Sequence, residues 1–382
     1  MILIQNGHIK TMAGKEYENG CILLGDDGKI AEIAEHIAAP EGAYVIDAEG
    51  KLVTPGCVDA HCHIGLHEQA MRWEGSDVNE KGDPITPQMR AIDAIRPHDE
   101  MFENAISHGV TCGVTGPGSA NVIGGTFAAI KLWGESVDEM VVKEPVAMKC
   151  AFGENPKNAY GNNLKKMPST RMGNAAMLRE TLFKAREYME AKDSDKPMKF
   201  DMKMEAMLPV MRKEIPLKAH AHRSDDILTA IRIAKEFGLK LTLDHCTEGW
   251  LIADILAKEG YPAFVGPTLG SKSKIELAGK SFETAAVLYE AGVNISIITD
   301  SPVIPTQYLP LCAGLHVAAG LPYEEAWKAI TINPATACDI ADRVGSLEVG
   351  KDADVVIWTD DPMKAVGAHA YVTIISGEIV YQ

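Results

Sequence analysis

Residues 216–245, PLKAHAHRSDDILTAIRIAKEFGLKLTLDH, contain one complete strand, helix and strand. PLKAH is a short apolar run. Ser224 follows as a helix cap, with Asp225 and Asp226 in the first turn, where carboxylates favour the positive end of the helix dipole. Ile227, Leu228, Ile231, Ala234 and Phe237 then recur at helical spacing, Gly238 supplies a stop, and LKLTLDH opens the next strand. Working outward, the same texture repeats. GCVDAHCH (56–63), TCGVTG (111–116), GGTFAAIKL (124–132), EPVAMKCAFG (144–153), PLKAHAH (216–222), LKLTLDHC (239–246), YPAFVGP (261–267) and VNISIITD (293–300) all read as buried strands, separated by helical or loop segments. Eight such strands over about 250 residues or more predict an α/β protein of the (β/α)₈ TIM-like barrel type. The rival doubly wound sheet lacks a GxGxxG after the first strand.

The ends differ from the middle. ILIQNGHIK, CILLGDDGKIAEIAE and AYVIDAEGKLVTPG at the start, and ADVVIWTD and AYVTIISGEIVYQ at the finish, are short extended segments with Gly-Asp and Asp-Gly turns. Chain ends often lie close together, so the expectation is one small β-sandwich domain built from both. This divides the chain into 1–53, 54–343 and 344–382.

Composition narrows the function. The chain has 382 residues with 37 Lys and Arg against 53 Asp and Glu, a formal charge of −16. No basic cluster is present to meet nucleic-acid phosphates or an anionic membrane. No run reaches the ~20 apolar residues of a membrane span, and MILIQNGHIK lacks the features of a signal peptide, so a cytoplasmic location is expected. The eight cysteines form no CxxC pair and read as reduced core residues.

Histidines carry the chemical signal. His61 and His63 close the first predicted strand, His220 and His222 the fifth and His245 the sixth, while Asp300 closes the eighth. In a barrel these strand ends converge on one face. Positions i and i+2 of a strand share a side, so His61 and His63 can grip one ion together, and Cys62 between them points into the core. Imidazole and carboxylate at this density suit Zn²⁺ or a related divalent metal. A single histidine at a strand end is commonly structural, but so many together are not easily explained that way.

PGCVDAHCHIG (55–65) and ITINPATACDIADRVGSLEVGKDADVVIW (330–358) resemble the opening and closing motifs of the amidohydrolase superfamily, most nearly its imidazolonepropionase-like and prolidase-like branch. The resemblance covers nearly the whole chain. It implies a barrel with one or two metals, His61, His63, His220, His245 and Asp300 being the ligand candidates. It also implies a hydrolytic water activated by metal and by Asp300, with His245 either a ligand or a donor to the oxyanion. Binuclear members carry a fourth-strand lysine carboxylated to a bridging carbamate, which corresponds to Lys149. Glu154, five residues on, is the alternative oxygen donor, as in a deacetylase branch. Deaminases carry a Glu three positions after the fifth-strand His, where this chain has Arg223. Imidazolonepropionases typically use one metal without the lysine, so the chain mixes two patterns.

Weaker signals lie in loops. His222 shares the face of His220 and could touch substrate. Tyr160 and Arg171 follow the fourth strand and Lys272 the seventh; Arg171, Arg223 and Lys272 are expected to hold a substrate carboxylate. The stretch 66–96 is long enough for a lid, and the glycine-rich 115–125 could offer backbone N–H groups to an anion. The expected activity is hydrolysis of a C–N bond in a cyclic amide or an N-acyl or prolyl dipeptide. Alternatives are an ester, lactone or carbamate hydrolase on the same site, or a non-catalytic small-molecule-binding barrel. The expected partners are a small-molecule substrate and further copies of the chain, a homo-oligomer, without nucleic acid or membrane.

Overall fold

The computed structural model describes residues 1–194 and 198–382. The N-terminal segment forms β1 (Ile2–Lys10), β2 (Glu16–Leu24), β3 (Ile30–Ala34), β4 (Tyr44–Asp47) and β5 (Leu52–Pro55). The middle supplies β6 (Cys57–Cys62), β7 (Val110–Thr115), β8 (Ile123–Lys131), β9 (Val141–Ala151), β10 (Leu217–Ala221), β11 (Leu241–His245), β12 (Ala263–Val265) and β13 (Ile295–Ile297). The C-terminal segment adds β14 (Val355–Trp358), β15 (Ala370–Ile375) and β16 (Glu378–Tyr381).

The eight middle strands are joined in chain order, β6 to β13. The backbone beyond β13 returns to β6, with Asp300 N–H donating to the His61 carbonyl at 3.0 Å and His63 N–H to the Ser301 carbonyl at 2.8 Å. These two bonds nearly close the barrel at the end where the histidines lie. One expectation is corrected: β8 runs antiparallel to both β7 and β9. The glycine-rich turn between β7 and β8 carries no helix, and a parallel return needs a crossover of a dozen residues or more. Glycine is required at the start of β8, where Gly125 has φ +125° and a Cβ would stand 2.4 Å from the Met89 carbonyl oxygen.

The 216–245 unit forms as expected, with its helix over Ser224–Phe237 and Gly238 in the left-handed region. Its start differs. Arg223 occupies the cap position, and the Ser224 N–H is satisfied by Glu248 Oε2 at 3.0 Å from the next loop.

The two chain ends share one sheet, ordered β3-β2-β1-β5-β14-β15-β16 with β4 also on β1. Its inward side chains, Ile4, Ile22, Val53, Val355 and Ile374 among them, form a core separate from that of the barrel. A buried ionic group ties the two together: Lys131 of β8 lies 3.0 Å from Asp352 and also pairs with Asp354, and Arg343 meets Asp352 at 2.9 Å. Such a group is stable only while every charge keeps its partner. Among the described residues, no helix is long and apolar enough to cross a membrane.

All eight cysteines are buried and unpaired, and burial raises Cys112, Cys150 and Cys312 to about 12. Essentially no thiol should therefore react with a chromogenic disulfide reagent in the native protein, and all eight after unfolding. Rapid native reaction of several thiols would contradict this packing.

Candidate active site

The ring of imidazoles begins on β6. His61 near its end and His63 just beyond it flank Cys62 and both turn toward Asp300, although a register shift between Asp59 and Cys62 interrupts the strict alternation of the strand. His61 Nδ1 lies 2.8 Å from Asp244 Oδ2 and His63 Nδ1 2.6 Å from the Gly116 carbonyl oxygen. Each contact directs the other ring nitrogen inward. His61 Nε2 and His63 Nε2 stand 3.4 and 3.2 Å from Asp300 Oδ1. Asp300 has φ +53°, an uncommon conformation for a non-glycine residue and one that recurs at functional sites.

β10 and β11 bring the second group. His220, His222 and His245 offer ligand atoms that all lie within 4.8 Å of one another, and His61, His245 and Asp300 do the same. His222 Nδ1 is 2.8 Å from Thr247 Oγ1, His245 Nδ1 is 2.7 Å from the Gly266 carbonyl oxygen, and His245 Nε2 has no partner. Burial above all, then nearby positive groups, holds His220, His222 and His245 well below the usual imidazole range. Neutral rings are the form that binds a metal. Burial pushes the Asp300 carboxyl up, but the bonds from His61 and His63 outweigh it and keep it ionised. Inward-facing imidazole nitrogens, an orphaned buried Nε2 and an ionised carboxylate fit a divalent ion.

Lys149 is fully buried on β9, its Nζ 3.2 Å from His61 Nε2 and 3.8 Å from Asp244 Oδ2. Burial lowers its amine to about 8. Glu154 does not meet the histidines. Its backbone N–H donates to Glu276 Oε2 at 3.0 Å, and its side chain lines a cavity of about 550 Å³ at the barrel mouth.

That cavity also gathers Arg171, Arg223, Asn155, Lys274 and Glu276. Arg171 Nε is held by Asp226 Oδ2 at 2.9 Å, and Arg223 is forked onto Asp225 at 3.0 and 2.9 Å. Two expected residues lie elsewhere. Tyr160 is buried, and its hydroxyl donates to the carbonyls of Asp83 at 2.9 Å and Glu80 at 3.3 Å, fastening a loop instead of facing the cavity. Lys272 turns back to the Ala278 carbonyl at 2.5 Å. Lys274, two residues on, takes the inward place, 3.3 Å from both His222 Nε2 and Asn155 Oδ1.

The long loop after β6 is pinned as well as extended. Asn79 accepts from Ala120 N–H at 2.9 Å, and Asn121 donates to the Glu80 and Asp83 carbonyls at 2.7 and 2.9 Å. The glycine-rich turn thereby serves as an anchor, and its Gly116 carbonyl orients His63.

Four site residues escaped the reading of the sequence. Asp244 is buried between His61 and Lys218, whose Nζ lies 3.3 Å from Asp244 Oδ1 and 2.9 Å from the Ala60 carbonyl oxygen. Burial pushes the Asp244 carboxyl up, but Lys218, His61 and Lys149 together hold it far below the usual range. Lys218 was detectable, because it shares the inward face of β10 with His220 as Lys149 does on β9. Asp244 was not. Strict alternation sends 244 and 245 to opposite sides, and only the left-handed turn at His245, φ +77°, lets both serve the site. Glu276 and Lys274 sit in a loop that carries no periodic signal.

A model of the amidohydrolase family matches residues 52–380. The amidohydrolase tasK of Hapsidospora irregularis is 30% identical over 379 residues, 91% of this chain, and the chain spans 38% of that protein's length. The imidazolonepropionase of Bacillus velezensis is 25% identical over 372 residues, 87% of this chain and 81% of that protein. The crystal structure of an amidohydrolase from Thermotoga maritima MSB8 superposes with a TM-score of 0.96 at 40% identity, covering 100% of both chains.

Proposed function

Since the chain belongs to the amidohydrolase family and is thus a hydrolase of carbon–nitrogen bonds, we propose that it cleaves a carboxylate-bearing cyclic amide or N-acyl or prolyl dipeptide with the aid of Zn²⁺. One observation carries the reading: the convergence of His61, His63, His220, His245 and Asp300 at the end of the barrel that opens toward the cationic cavity. A bound divalent ion polarises the scissile carbonyl and acidifies water, which supplies the attacking group at neutral pH. The remaining work falls to the chain. Asp300, ionised and aimed between His61 and His63, takes the water's proton and returns it to the leaving nitrogen. Lys149 holds its place beside His61 as a low-pKa amine. In its neutral form it can add to CO₂, forming an N–C bond and releasing a proton, and the resulting carbamate is an anionic oxygen donor in place of an ammonium.

Arg171, Arg223 and Lys274 at the cavity wall support recognition of a carboxylate, since charge-assisted bonds to such groups are the strong ones. A matched pair of substrates, one with the free carboxylate and one with it amidated, should differ by about 10-fold or more in kcat/KM, the effect of ~1.5–3 kcal/mol. Elemental analysis of the same preparation should find tightly held divalent metal. Equal rates for the pair, or ammonia release from adenosine, cytosine or guanine, would move the activity to a neutral amide or to ring deamination. Absence of metal after metal-supplemented expression would remove the mechanism.

A further inference from the structure

The donors at the ends of β10 and β11 outnumber what the resemblance assigns there. His220 and His245 are joined by a third imidazole, His222, and by a carboxylate from the loop after β12. Glu276 is 1% exposed and its Oε1 has no hydrogen bond, while it lies 3.6 Å from His220 Nε2 and 3.9 Å from His222 Nε2. Donors about 2.1 Å from one ion in tetrahedral order stand ~3.4 Å apart, close to the separations of Glu276 Oε1 from His220 and His222. The three imidazoles lie within 4.8 Å of one another in a group that does not include Glu276, so the carboxylate has to close toward His245 to share an ion with all three. The outer atoms are already taken: His222 Nδ1 faces Thr247, His245 Nδ1 faces the Gly266 carbonyl, and Glu276 Oε2 accepts the Glu154 N–H. What remains on these three residues is one donor atom each: His245 Nε2 and Glu276 Oε1 have no hydrogen bond, and His222 Nε2 meets the Lys274 ammonium at 3.3 Å. Buried polar atoms are seldom left unpaired, and two of them here, His245 Nε2 and Glu276 Oε1, are.

We propose that His222 and Glu276 are metal ligands, completing with His220 and His245 a four-donor site that holds a second divalent ion without help from Lys149. The proposal rests on the metal-dependent reading above. It reassigns His222 from substrate contact to ligand. Lys274 bears on it directly, because its ammonium lies 3.3 Å from His222 Nε2 and 3.5 Å from Glu276 Oε1. A monovalent cation thus stands among the donors, and it must swing toward the cavity when a dication enters.

The test compares metal content by elemental analysis after dialysis against buffered free Zn²⁺, with the visible spectrum of the Co²⁺-loaded protein as a second readout. Lys149→Met should retain an ion with a tetrahedral Co²⁺ spectrum. In a His61→Asn/His63→Asn background, which removes the other site's imidazoles, one ion should remain. There His222→Asn or Glu276→Gln should weaken it by ~10-fold or more and alter the Co²⁺ spectrum. Circular dichroism identifies any variant that has not folded, and the nearly isosteric Glu276→Gln keeps the measurement available if His222→Asn does not fold. Unchanged affinity and spectrum in either folded variant would overturn the proposal and return that residue to substrate contact. Loss of this ion in folded Lys149→Met would overturn its independence of the lysine. A wild-type protein that binds no metal would defeat the metal-dependent reading itself, which distinguishes the two failures.

Discussion

Asp300→Asn should fold as the parent does and lose at least ~10²-fold in turnover. The change alters one atom of a side chain whose Oδ1 lies 3.4 and 3.2 Å from two imidazoles, so packing is preserved. What disappears is the negative charge and the basic oxygen. The residue can then neither take a proton from water nor deliver one to the leaving nitrogen, and its attraction for a dication falls. Unfolding midpoints should match those of the parent while kcat collapses. Near-normal turnover would take Asp300 out of the mechanism and require another base, such as Glu276, a buried carboxylate whose Oε1 has no hydrogen bond.

Asp244 should show a comparably large effect through a different route. It sits between the His61 imidazole and the Lys218 ammonium, fully buried. By accepting the Nδ1 proton it fixes the ring so that Nε2 keeps a lone pair for an ion, and it balances the charge on Lys218. Asp244→Asn should therefore weaken metal binding by ~10–100-fold, as loss of such a supporting carboxylate does elsewhere. Asp244→Leu, of similar bulk, leaves an uncompensated buried ammonium and should cost about 3–5 kcal/mol in denaturant unfolding. The two variants separate positioning from packing. If Asp244→Asn binds metal as tightly as the parent, the carboxylate serves Lys218 alone.

Much of this site was open to a reader of the linear chain, and the reasons are local. His61 and His63 are two apart in a strand, and Lys149, His220 and Asp300 stand in or at the end of apolar runs where a polar residue is conspicuous. Backbone periodicity alone puts these groups on the inner face. The resemblance of the end motifs then suggested what they do. The same periodicity reaches Lys218, two residues before His220 on β10.

Other features depend on contacts between residues far apart in sequence, which periodicity cannot report. The reversal of β8 follows from a turn too short for a crossover, and the strand was legible while its direction was not. Tyr160 and Lys272 stand in polar loops where sequence shows only exposure to ligand or solvent. The fold gives the first to the Asp83 carbonyl and the second to Ala278, and brings Lys274 and Glu276 to His222 instead. Asp244 is the clearest case. Alternation along β11 would turn it away from His245, and a left-handed backbone step at the strand end, held by the surrounding barrel, brings both to one centre. The order of residues thus determined which strands carry chemistry and on which face. Only tertiary structure decided which carboxylates and cations satisfy those histidines, because buried charges take their partners from whichever elements pack against them.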